Sequence, residues 1–240
     1  MARVTDNGIS GAVGNVVFYT MNGKRYVRAK PGPRKKKRGQ PVNPLNAVFG
    51  TVSKYGSAMV KAMNGHFLFP LKREMYNRLR GWMRNQYAEH KDEEIWELSL
   101  RNSGMCQVNG EIDLRDFLRT DITVNDSGNA KITVSISEIN PKKDIKVPLR
   151  TMKVNIKLIA VTSPFRNAPT TCSLCTNQYS FIFNNDPVPA RSFELQTEAG
   201  IGDIAIVALA VEFETSASYP AYNKDTRWLP AAVISMGRLK

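Results

Sequence analysis

Asp203-Ile204-Ala205-Ile206-Val207-Ala208-Leu209-Ala210-Val211-Glu212-Phe213-Glu214 is the stretch that decides the fold. Eight apolar residues run unbroken from Ile204 to Val211. A spanning helix needs about 20, so this run is too short to cross a membrane, and no membrane span is expected. β-branched residues alternate with alanines, and charged residues close both ends. The run reads as a central strand covered on both faces. The covering layers come from the same chain or from another subunit.

Working outward, the period of two continues on either side. Lys153-Val154-Asn155-Ile156-Lys157-Leu158 alternates cleanly, one face packed and one wet. Candidate strands are 121–124, 131–137, 152–161, 178–184, 191–195, 203–214 and 231–236. Turn signals separate them, such as Asn125-Asp126-Ser127-Gly128 and Asn184-Asn185-Asp186-Pro187. Seven short strands with such punctuation predict an all-β sandwich of immunoglobulin type over 110–240.

Before it the period is helical. Leu45, Val48, Phe49, Val52, Tyr55, Met59 and Met63 fall three and four apart, which predicts a helix over 44–63, with Asn43 as N-cap and Pro44 at its first position. Pro70 opens a second helix, 71–90, with Met75, Leu79, Trp82, Met83 and Tyr87 on its buried stripe. A short link makes the two an antiparallel pair, a helical hairpin assigned to 43–100. Residues 91–101 suit either a helix start or a short strand after an acidic turn, with the strand favoured.

The first 42 residues differ in character. Val16-Val17-Phe18-Tyr19 and Arg25 to Ala29 read as two strands joined through Asn22-Gly23, the preferred pair for a tight hairpin. Gly8, Gly11 and Gly14 suggest a sharply bending backbone. Pro31-Gly32-Pro33 then leads into Arg34-Lys35-Lys36-Lys37-Arg38, five consecutive cations. The expected architecture is therefore α+β: an N-terminal β-hairpin with a basic segment, a helical hairpin, then the sandwich.

The opening residues also carry a resemblance. Gly11, Val13, Gly14, Asn15, Val16, Val17, Tyr19, Gly23, Lys24, Arg28, Lys30 and Pro31 form a G-x-V-G-x-V-V-x-Y … G-K … R-x-K-P pattern. It resembles an uncharacterised family of Bacteroidota proteins, a domain of unknown function. Ser99 and Gly104 loosely match a further element of that family. The resemblance implies a glycine-rich hairpin, two helices and an immunoglobulin-like β domain. It implies no activity. Leu45-Asn46 after Asn43-Pro44 departs from the family pattern, and Arg34–Arg38 is more basic than the family suggests.

Charge is distributed as unevenly as structure. The 240 residues carry a net charge of +13. Residues 1–90 hold 17 basic and 3 acidic residues, a net of +14, and 91–240 hold 17 and 18, a net of −1. The excess thus belongs to the N-terminal part and implies a polyanionic partner, nucleic acid or an acidic protein surface. Candidate contacts are Lys24, Arg25, Arg28, Lys30, Arg34, Lys35, Lys36, Lys37 and Arg38, extended by Arg73, Arg80 and Arg84. Tyr19 and Tyr26 are candidates for stacking on bases. No helix-turn-helix, zinc-finger or RNA-recognition signature is present, so binding should be backbone-directed.

Catalytic signals are weak. There are two histidines, His66 at the helix–helix turn and His90 at a helix end. Asp113 and Asp116 should flank a short helical turn around Phe117, and Glu212 and Glu214 should share the wet face of a strand. Cys172-Ser173-Leu174-Cys175 is a lone C-x-x-C among loop-forming residues, and Cys106 makes the cysteine count odd. Zinc would need four ligands, so no metal or cofactor is expected. The N-terminus lacks an apolar signal core, which points to a cytoplasmic or virion-associated location.

The leading expectation is a non-enzymatic structural or assembly subunit, of a phage or another large particle, that self-associates. A free, weakly sequence-specific nucleic-acid-binding protein is the alternative. An enzyme or adhesion module using the β domain is the third reading.

Overall fold

The computed structural model describes residues 3–5, 8–21, 23–32, 44–89, 104–110, 112–164, 172–198, 200, 203–216 and 225–239. The chain divides into two compact units, Met1–Asn43 and Pro44–Lys240. The expected positions Arg34–Arg38, Asn43, His90 and 91–101 lie outside the described residues.

The first unit is a four-stranded antiparallel meander: β1 (Arg3–Thr5), β2 (Gly8–Val13), β3 (Val16–Met21) and β4 (Lys24–Ala29), in that order. Sequence pattern predicts only two of these strands, β3 and β4. Gly11, at φ 111°, and Gly14, at φ 54°, are the bending positions, and they hold the turn into β3. A side chain at either would be strained. Gly23, at φ 75°, lies between β3 and β4. β3 and β4 pair from Val16↔Ala29 to Met21↔Lys24.

The second unit mixes helices with strands in two sheets. Its elements are α1 (Pro44–Met63), α2 (Arg73–Glu89), β5 (Cys106–Gln107), α3 (Leu114–Phe117), β6 (Ile122–Asp126), β7 (Lys131–Ile136) and α4 (Pro141–Asp144). There follow β8 (Thr151–Ser163), β9 (Ser173–Ile182), β10 (Arg191–Gln196), β11 (Ile204–Thr215) and β12 (Ala231–Arg238). One sheet has the order β10-β7-β6 and the other β5-β12-β11-β8-β9, all pairings antiparallel. β9 starts five residues before the expected 178, because Ser173 to Asn177 continue its ladder on β8.

Every residue from Ile204 to Val211 is buried. Successive side chains on a strand point to opposite faces, so the run serves two cores at once. Ala205, Val207, Leu209, Val211 and Phe213 join Val154, Ile156, Leu158, Ile132, Val134 and Leu195 between the two sheets. Ile204, Ile206, Ala208 and Ala210 face the opposite way, with Ile159, Val161, Ala231 and Val233. There they meet Val52, Tyr55, Met59 and Met63 of α1 and Met75, Leu79 and Met83 of α2.

The unit is thus three layers deep: helical pair, five-stranded sheet, three-stranded sheet. The second face of β11 is covered by the chain's own helices, not by another subunit. Small residues at 208, 210 and 231 leave room for the helices to sit close. The flexible methionines fill the remaining gaps.

Candidate nucleic-acid interface

The register of the N-terminal sheet sorts its side chains into two kinds. Tyr19 lies opposite Tyr26 and Val17 opposite Arg28, so Lys24, Tyr26 and Arg28 share a face with Tyr19. The tyrosine rings stack with centroids 5.5 Å apart and 20° between planes. The Arg28 guanidinium lies 5.4 Å from the centre of the Tyr19 ring, a cation–π contact that braces both groups. All six residues of β4 are exposed. Lys30 follows Arg28 by two positions, and its N–H donates to the Asn15 carbonyl at 2.6 Å, continuing the ladder beyond Ala29.

The other face is apolar. It carries Val13, Val16, Phe18, Val27 and Ala29 by the same register. Val13 is 50% and Val27 58% exposed. Arg25 lies here too, opposite Thr20, and therefore apart from the other cations of β4. No described side chain of this unit is buried.

Arg73, Arg80 and Arg84 belong to the second unit. Spacings of seven and four place them on one stripe of α2. Arg73 and Arg84 are exposed. Arg80 lies 5.3 Å from the Tyr76 ring centre and donates to Asn77 Oδ1 at 3.4 Å. Arg78, on a different side of α2 from that stripe, is committed to structure: Nε donates to the Gln107 carbonyl at 3.1 Å and Nη2 to that of Val108 at 2.7 Å. It ties α2 to the loop after β5.

The candidate acids and thiols are placed by the same geometry. Asp113 caps α3: its Oδ1 accepts from Arg115 N–H at 2.9 Å and from Gln107 Nε2 at 2.8 Å. Glu214 accepts from Asn155 Nδ2 at 2.7 Å and pairs with Lys153 at 3.4 Å. The Asn155 hydrogen bond, then Lys153, hold its carboxyl below the usual range. Glu212 faces Asn155 across the strands. Burial pushes its carboxyl up, Lys157 pulls it down, and Glu214 raises it further. Oε1 of Glu212 and Oδ1 of Asn155 are both buried acceptors without a hydrogen-bond partner.

The C-x-x-C straddles the start of β9, with Cys172 just before it and Cys175 inside. Cys175 is within β9, opposite Ala160, and packs towards the inter-sheet core. Cys172 packs against the helix-side core. The two thiols therefore serve opposite faces of one sheet, which separates them as a ligand or redox pair. His66 sits in the turn after α1, where its N–H donates to the Met63 carbonyl at 3.1 Å.

Two of the hollows among the described residues hold charged side chains. One, of about 310 Å³, is lined by Phe69, Met75, Arg78, Asn109 and Thr226 among others. Asn109 Nδ2 already donates to the carbonyls of Thr226 and Leu229. The second, wider groove holds Asp113, Asp116, Lys146, Arg227 and Trp228. No group of three or more His, Cys, Asp or Glu side chains is arranged for a metal among the described residues. No described helix is long and apolar enough to cross a membrane.

Comparison of the chain with family models, with curated proteins and with solved structures gives no match.

Proposed function

We propose that this chain is a non-enzymatic structural or assembly subunit, of the kind found in phage or other large particles, whose N-terminal sheet contacts nucleic acid. The observation that carries this reading is the two-faced register of that sheet. Lys24 and Arg28, with Lys30 just beyond, line up beside the stacked pair Tyr19 and Tyr26. Cations at alternate strand positions neutralise successive phosphates and release counterions. Tyr26, exposed beside the half-buried Tyr19, offers bases a stacking surface. Neither contact reads a sequence, so binding is weakly sequence-specific. Arg34–Arg38 follow in the chain and add charge to the same unit.

Two further considerations favour a subunit over a free binding protein. A small sheet whose described side chains are none of them buried gains little stability by itself. Val13 and Val27 leave its apolar face open to a neighbour. The β body fits an immunoglobulin-like sandwich, as the resemblance implies. Its long strands partition as first, second and fifth against third, fourth, sixth and seventh, which supports that reading with the fourth strand on the opposite sheet from the constant-type division. Domains of this kind serve widely as assembly modules, an argument by analogy of fold.

The test is fluorescence anisotropy of a labelled single-stranded oligonucleotide over a salt series. Three phosphate contacts from Lys24, Arg28 and Lys30 contribute a log–log salt slope of about −2, so a fourfold rise in salt weakens binding roughly 20-fold through them. Replacing all three by glutamine should flatten the slope by that amount. Tyr19→Ala should cost about 1–3 kcal/mol per stacked base. An unchanged slope in the triple variant overturns the reading.

A further inference from the structure

The four lateral edges of the two sheets in the second unit are unequal. β5 has two residues. β6 has five and ends in Asp126. β10 has six and carries Arg191 and Glu194. These are the usual protections of an edge: brevity and charge. β9 has none of them. Its ten residues, Ser173-Leu174-Cys175-Thr176-Asn177-Gln178-Tyr179-Ser180-Phe181-Ile182, contain no charge and no proline. Its ladder on β8 runs from Lys153↔Ile182 to Thr162↔Ser173 without a register shift, whereas the ladders of β11 on β12 and on β8 are each broken by one. Among the described residues no strand pairs with its outer side. Ile182 is 70% exposed there.

We propose that β9 pairs antiparallel with β9 of a second copy about a two-fold axis at Gln178, joining two five-stranded sheets into one. This names the partner in the assembly reading above and rests on it. The strand is self-complementary about that residue. Directly opposed residues of an antiparallel pair share a face, so positions equidistant from Gln178 meet. Leu174 then faces Ile182, and Thr176 faces Ser180. Gln178 faces itself, amide to amide. On the other face Cys175 meets Phe181 and Asn177 meets Tyr179. Apolar lies on apolar and hydroxyl on hydroxyl, with no like charges opposed. The exposed Ile182 gains an apolar neighbour. A two-fold interface of this kind is isologous and closed, which favours a second copy over an unrelated strand.

Gln178 is exposed, so its replacement leaves the core untouched. The experiment measures the mass of the full chain by light scattering and sedimentation over a concentration series, for wild type, Gln178→Lys and Gln178→Glu. Wild type should dimerise. Each variant alone should dissociate at least tenfold more readily, because like charges meet on the axis. A one-to-one mixture of the two should recover the dimer. A Gln178→Cys variant should form a disulfide-linked dimer on mild oxidation, since opposed Cα atoms lie about 4.5–5.5 Å apart. Thr176→Cys, facing Ser180, should not.

A wild-type monomer throughout, or a dimer indifferent to the charge at 178, overturns the proposal. So does equal cross-linking from 176 and 178. Oligonucleotide binding measured on the same variants separates the two ideas: it should persist in both charge variants, and its loss in the Lys24/Arg28/Lys30 variant should leave the dimer intact.

Discussion

Replacing Leu79 by alanine tests whether the helical pair is an integral layer or an appendage. Leu79 is wholly buried, in the same core as Met59, Met63, Met75 and Met83 and as Ile206, Ala208 and Val233 of the sheet. The substitution removes three carbons from a site closed on the sheet side by regular strands, which collapse poorly into a void. A buried leucine lost in this way costs about 2–5 kcal/mol, and a site walled by a sheet belongs near the middle, roughly 3 kcal/mol. For a body the size of Pro44–Lys240 each kcal/mol moves the midpoint by about 2–4 °C, so Tm should fall by roughly 6–12 °C.

Differential scanning calorimetry, followed in parallel by far-ultraviolet dichroism, is the assay. Helical and β signals should be lost together at the lowered temperature. Arg84→Ala, on the exposed stripe of the same helix, should stay within about 0.5 kcal/mol of wild type. Two outcomes refute the reasoning: a loss below about 1 kcal/mol, or a helical transition that melts early while the β transition stays put. Either would mean that β11 does not depend on the helices for its second cover.

Glu212→Gln should stabilise the protein at neutral pH by up to about 1 kcal/mol, discounted for its half-exposed position. The folded-state carboxyl is raised by burial, against Lys157 and with Glu214. Its stabilising contribution is therefore complete at acid pH and fades as pH rises through the raised value. The advantage of the variant, read from urea midpoints, should vanish in acid; a constant difference across pH contradicts it. Cys106, buried in β5 and pushed up to about 11 by burial against the weaker pull of Arg78, should resist thiol reagents at pH 8 until the protein unfolds. Labelling of wild type and Cys106→Ser should give the same number of accessible thiols under native conditions.

Much of the local structure follows from local pattern. The bounds of α1 coincide with the periodic run that begins at Pro44 and ends before Asn64-Gly65. β8, β10 and β12 start within a residue of the positions read from alternation. The extra strands β1 and β2 are not legible because Gly8, Gly11 and Gly14 suggest only a bending backbone, whereas β2 accommodates positive φ at Gly11 and ends before the turn at Gly14. The C-x-x-C poses a related ambiguity. Spacing alone cannot tell a loop, which would bring the thiols together, from an extended strand, which sends them to opposite faces.

By itself the sequence determined most of the element types, the central place of 204–211 and the confinement of the net positive charge to the first 90 residues. Each is a property of neighbours along the chain, written in periodicity and composition. The tertiary structure decided what covers each face of β11, because helical stripe and strand face meet only through contacts between residues far apart in sequence. It likewise decided which cations act together. Lys24 and Arg25 are adjacent in the chain, yet strand pairing sends one to the tyrosine face and the other to the apolar face. Alternation along a strand is local, but which cations share a face with Tyr19 depends on the register, and register is fixed by the partner strand.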